Sequence, residues 1–167
     1  MITMTAFKPW LQLIALMGGA ITFGTAYYLM VLAHPSWSTA PFDSFLPIFQ
    51  DAILKIGMSQ VTISTAALLS CVVLFFIDRD WSWLVAVVML LVSLPVTMVL
   101  LMPINLYFLE LEIGTAGAQE ASMLADWGRY QIVRVIGDGL AFLAMCKPLI
   151  WPKNKPLTNL QTEAATS

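Results

Sequence analysis

Four long apolar stretches, 10–33, 57–77, 81–102 and 130–150, fill most of the 167 residues, and nearly every ionisable side chain lies between them. Each is close to the ~20 residues that carry a helix across ~30 Å of hydrocarbon. With no water in that layer to satisfy backbone groups, the stretches must be helices or closed barrel strands, and their length selects helices. The predicted fold is therefore all-α: an integral membrane four-helix bundle, with the lipid bilayer as its solvent.

The chain is 59% hydrophobic and 11% charged, whereas a soluble domain carries about 25% charge. Ten acids against eight bases leave a net charge of −2, which supplies no basic face and argues against nucleic acid as a partner. Cys71 and Cys146 stand alone inside apolar runs and read as free thiols.

The first stretch is longer than the apolar core of a signal peptide and is interrupted by Gly18, Gly19 and Gly24, so it reads as a retained helix. Ala15/Gly19 and Ala20/Gly24 are small residues four apart. Such spacing lets another helix approach closely, whether a second copy or a membrane partner. His34-Pro35 is expected to end this helix, because a residue before proline avoids the α region. The next connection holds an amphipathic piece, Phe45–Ile56, expected to lie as an interfacial helix in the first extracytoplasmic loop. The hydroxyls of the second stretch read as packing groups bonded back to their own helix. Asp78-Arg79-Asp80 forms a turn, with Trp81 and Trp83 at the interface.

Pro95 predicts a kink in the third helix, and Pro103-Ile104-Asn105 its end, with Tyr107–Leu111 a candidate prolongation past a bend. Residues 106–129 form a second long connection whose acids, Glu110, Glu112, Glu120 and Asp126, read as a solvated loop. The fourth helix is expected from Trp127 to just before Pro148. Residues 1–152 thus make one four-span domain, and 153–167 a disordered polar cytoplasmic tail. Lys8, Arg79, Lys147, Lys153 and Lys155 fall on the side of both termini, against Lys55, Arg129 and Arg134 on the other. The excess places both termini in the cytoplasm, with a bacterial inner membrane as the expected location.

Alternating helix direction brings together the ends that carry His34, Asn105 and the group Trp127, Tyr130, Gln131, Arg134. The only histidine, a helix-end asparagine and an intramembrane arginine are gathered on one side. Arg134 and Asp138 are four apart and share a helix face, flanked by Gly137 and Gly139, which permit close helix approach. Two readings stand side by side: an ion pair that only fixes packing, or an arginine that holds an anionic or carbonyl-bearing ligand. His34 is a candidate general base, or an interface histidine bonded to a loop carbonyl. One histidine does not make a bis-histidine haem site, and the loop acids lack the Glu-x-x-His spacing of di-iron bundles. No metal and no cofactor is expected.

At these residues the chain resembles the family of small four-helix membrane proteins that includes the anthrone oxygenases. The resemblance rests on the Gly-rich first helix with Tyr27 and Tyr28 leading to His34-Pro35, on Phe45-Leu46-Pro47, on Pro103-Ile104-Asn105, and on Trp127 with Arg134; it spans about residues 10–150. The family often has histidine between that tryptophan and arginine, where Gln131 stands here. The resemblance implies oxidation of a flat, lipophilic aromatic to a quinone by dioxygen, without metal or flavin. It implies His34 as the base, with Asn105, Trp127 and Arg134 lining the pocket. These four are the expected catalytic residues, and Tyr28, Trp37, Tyr130, Gln131 and Asp138 the expected substrate contacts. The competing expectation is a non-enzymatic membrane subunit or binding protein whose polar layer is structural. A small transporter is a third, for which inverted repeats are missing.

Overall fold

A computed structural model describes residues 4–151; the tail expected at 153–167 lies outside them. The described residues fold into four long helical rods and contain no strand. Rod one comprises α1 (Met4–Tyr28), a π turn (Leu29–Ala33) and α2 (His34–Thr39). Rod two is α3 (Phe42–Asp78). Rod three comprises α4 (Trp81–Pro95), a second π turn (Val96–Leu101) and α5 (Met102–Glu110). Rod four is α6 (Ala118–Ile150). Rods one and three each pack against rods two and four, which closes the bundle. Rods one to three are long and apolar enough to cross a membrane. Rod four is as long but carries Arg134 and Asp138 within its apolar stretch, both turned into the bundle.

The helices run through every residue expected to stop them. Pro35, Pro103 and Pro148 all lie inside rods. A proline in a helix lacks an N–H and clashes with the carbonyl four residues back. In rods one and three the chain answers with a wider turn. His34 N–H reaches back five residues to the Leu29 carbonyl, and Met102 N–H likewise to Thr97. Each π turn thus ends at the residue before a proline and passes the helix on. The cost in register is visible in rod three. Its buried seam runs Trp83, Val87, Leu90, Ser93 and then Leu101, Ile104, Phe108. Eight residues separate Ser93 from Leu101, where two α turns would use about seven.

The amphipathic stretch Phe45–Ile56 is helical, but it is the beginning of rod two and its apolar face meets protein. Phe45, Leu46 and Phe49 are fully buried. Rod four starts nine residues before the expected Trp127, at Ala118, and continues to Ile150. The Asp78–Asp80 turn is as expected: Arg79 takes a left-handed conformation, and Asp80 caps α4 by accepting from Ser82 N–H. Trp81 is exposed, whereas Trp83 turns inward and donates to Asp78.

The interior has two apolar clusters. One, near the Asp78–Asp80 turn, is built of small and aliphatic residues: Ala15, Ala67, Cys71, Leu74, Ala86 and Met145, with Trp83. Here the rods are close. A methyl group added to Gly18 would sit 2.7 Å from the Ala67 Cβ, and one on Gly19 would sit 2.6 Å from Met145 Sδ. The small residues Ala15 and Gly19 are therefore spent inside the bundle, while Gly24 has open space beside it. The other cluster, at the opposite end, is aromatic: Trp37, Phe45, Phe49, Phe108 and Trp127, with Leu29, Leu101 and Leu124. Between the clusters lie Thr22, Gln60, Ser93, Gln131, Arg134 and Asp138, all buried.

Candidate functional site

His34 emerges directly from the first π turn, at the edge of the aromatic cluster. Its Nε2 lies 3.2 Å from the Leu124 carbonyl. A carbonyl can only accept, so Nε2 carries the proton in this contact. The ring stacks on Trp127, with centroids 6.0 Å apart and planes 24° from parallel. It also fills the space over Gly128, where a side-chain carbon would overlap the imidazole. Three features therefore fix the ring: a carbonyl, an indole face and the missing side chain of Gly128.

Trp127 is held in turn. It is fully buried, and its Nε1–H donates to Asn105 Oδ1 at 2.8 Å. The second π turn, three residues upstream of Asn105, sets the helix phase that delivers this amide. Trp37 meets the same indole at 5.8 Å and Phe49 edge-on at 5.6 Å. The structure thus brings His34, Asn105, Trp127 and Trp37 together.

Beside His34 a cavity of about 380 Å³ opens between the end of rod one and the start of rod four, within the ~300–1,000 Å³ of small-molecule sites. It is lined by His34, Trp37, Phe42 and Leu124, together with Ser38, Ala40, Ala116, Gly117, Ala121 and Ala125. Six of these ten residues are serine or smaller, and the slot they leave lies beside His34.

The wall of the slot is clasped by polar contacts. Glu120 accepts from Tyr107 Oη–H at 2.5 Å and from Gly117 N–H at 2.7 Å, which caps rod four. These bonds, Tyr107 first and Gly117 second, hold its carboxyl below the usual glutamate range. Asp43 accepts from Gly114 N–H, and Gln50 donates to the Phe108 and Leu111 carbonyls. Glu120 is therefore a clasp rather than a solvated loop acid.

The other expected residues lie elsewhere. Arg134 is two helical turns from Trp127, about 10 Å along the axis, and does not line the slot. Its Nε sits 3.5 Å from Asp138 Oδ2. Around it Gln131 Oε1, Ser93 Oγ and both Asp138 oxygens are buried without a hydrogen-bond partner of good geometry. Gly137 lets Ser93 approach this group: an added methyl would stand 2.7 Å from the Ser93 Oγ. Tyr130 packs on the flank of the aromatic cluster, and Tyr28 is half-exposed on the outer face of rod one.

Sequence reasoning missed Leu124, Gly128 and Glu120. The signal was a heptad-like seam on rod four: Glu120, Leu124, Trp127, Gln131, Arg134, Asp138, Ala141 and Met145 are all buried and alternate three and four apart.

The anthrone oxygenase family matches residues 51–144, more than half of the chain. The chain belongs to the anthrone oxygenase family. The matched segment holds Asn105, Glu120, Leu124, Trp127 and Arg134, while His34 and Trp37 lie before it. Comparison with curated proteins and with solved structures gave no match.

Proposed function

We propose that this anthrone oxygenase family member oxidises a flat, lipophilic aromatic carrying an acidic methylene, using dioxygen directly, in the slot beside His34. The observation that carries the reading is the fixed imidazole: Nε2–H is committed to the Leu124 carbonyl, which leaves Nδ1 to act as the base, on a residue that lines a cavity of ligand size.

The chemistry closes on these groups. His34 Nδ1 takes a proton from the ring methylene, and the electron pair spreads over the fused rings. That anion gives two electrons in all to dioxygen as a carbon–oxygen bond forms. The imidazolium returns its proton to the resulting peroxide. Loss of the second C–H proton then breaks the O–O bond. One methylene and one dioxygen become one carbonyl and one water. Trp37 and Phe42 offer apolar faces to the rings. Asn105 and Trp127 are positioning residues, because they touch the imidazole only through the indole.

Arg134 and Asp138 act here by locking rod four, since their pair lies off the slot. The excess of basic residues at the termini supports an inner-membrane orientation with both ends cytoplasmic and the slot on the extracytoplasmic side.

The test is dioxygen uptake with anthrone as substrate, for the wild type and His34→Ala in lipid. Turnover should fall by at least 10²-fold, the usual contribution of a positioned base, with the melting temperature nearly unchanged. A His34→Ala protein that keeps its rate would end the base assignment.

A further inference from the structure

The rods are longer than a membrane is thick, and where they project decides where the slot works. Residues 56–77 of rod two carry no charged side chain, a run of about 33 Å against ~30 Å for the hydrocarbon layer. One end of this run is marked by the Lys8–Asp78 ion pair at 2.6 Å. Beyond the other end, rod two continues from Lys55 back to Phe42, about another 20 Å.

Cross-rod contacts set the levels. Gly18 faces Ala67, and Thr22 Oγ1 meets Ser64 Oγ at 3.1 Å. Followed along antiparallel rods, this register puts His34 level with Asp51. Asp51 and Lys55 form an ion pair whose side chains are 62% and 74% exposed. On rod four, Gly128 touches His34, and beside it Asp126 pairs with Arg129, whose side chain is 76% exposed. Both rods flanking rod one thus present exposed ion pairs at the level of His34. Exposed charges of this kind do not sit in hydrocarbon. Those pairs place His34 in the headgroup layer, about 5–8 Å thick on each side, and the slot opens outward from it.

We infer that the slot works at the membrane–water boundary and takes its ligand from the headgroup layer. A ligand that reaches it there is an amphiphile that concentrates at headgroup depth. The substrate class rests on the function proposed above; the depth does not.

Two experiments test this. Nitroxide labels at Ser38→Cys, Ile48→Cys and Leu69→Cys, with Cys71 and Cys146 replaced by alanine, report depth in phosphatidylcholine vesicles. The Leu69 label should be relaxed chiefly by dioxygen, and the Ser38 and Ile48 labels by a polar nickel chelate. A Ser38 label as oxygen-rich as that at Leu69 overturns the inference. The second experiment uses the wild type, so it does not depend on the variants folding. Anthrone is bound to the wild type in vesicles carrying a nitroxide either on the phosphatidylcholine headgroup or deep on its acyl chain, with protein-free vesicles as the blank. Fluorescence of the bound anthrone should be quenched more by the headgroup label; stronger quenching by the acyl-chain label overturns the inference. Binding without dioxygen uptake would instead count against the proposed chemistry and leave the location standing.

Discussion

The two ends of the bundle solve the same packing problem with opposite materials. Near the Asp78–Asp80 turn, small residues bring backbones together, as at Gly18 against Ala67. Lipid tails are as apolar as leucine, so helices there gain little from burying apolar surface and depend on close contact. At the other end the contacts are aromatic, with Trp37, Phe45, Phe49, Phe108 and Trp127 filling the space between rods. Large rings fill that end, and the slot lies at its edge beside Trp37 and Phe42. The contrast teaches that the bundle packs tightly at one end and keeps its cavity at the other.

The largest effect should come from the layer between the two ends. Arg134→Ala leaves Asp138 buried and unpaired and should cost about 3–5 kcal/mol, read as a lower unfolding midpoint in lipid. An apolar pair, Arg134→Met with Asp138→Leu, should recover most of that loss. If the single and double variants melt alike, the ion pair is not what joins the halves.

Next comes the close-packed end. Gly18→Val pushes rods one and two apart against the Ile63 carbonyl and Ala67, costing about 1–3 kcal/mol, while anthrone binding is retained in the fraction that folds. The mirror experiment is Gly128→Ala. Its methyl overlaps the His34 ring, so turnover should drop sharply for less than half the loss of stability of Gly18→Val. Equal damage to stability from both glycines would erase the distinction between the ends.

The smallest effect concerns the clasp. The Glu120 carboxyl sits below the usual glutamate range, so its stabilisation is complete above the unfolded value of about 4.3. It is lost as pH falls through the lower folded value. Amide exchange in 111–117 should therefore quicken on acidification in the wild type, and the acid response should flatten in Glu120→Gln. An identical profile in that variant would separate the carboxylate from the loop.

The helical class, the membrane-length runs and the Arg134–Asp138 pair were legible from hydropathy and spacing. So was the meeting of His34 with Asn105 and Trp127, because alternating direction is enough to gather helix ends. What escaped was the behaviour of proline. His34-Pro35 and Pro103 read as stops, since a regular α turn cannot hold them, yet each is accommodated by a π turn that no propensity marks. The grouping of Arg134 with His34 failed for a simpler reason: a shared helix end says nothing of depth, and seven residues of rise separate Arg134 from Trp127. Glu120 was read as a solvated acid because its partner, Tyr107, belongs to another rod.

The π turns also set a compass bearing for the helix beyond them. Each holds one residue more than a regular winding, and each residue advances a helix by about 100°. Wound instead as regular α-helix, Leu29–Ala33 would carry the His34 imidazole about 100° round the axis, away from Leu124 and Trp127. The wide turn absorbs the extra residue, so deleting one residue there would return rod one to uniform pitch with His34 close to its present bearing. The same holds for Val96–Leu101 and Asn105 in rod three. The reactive geometry thus depends on how the chain winds at two short segments as much as on which side chains occupy them.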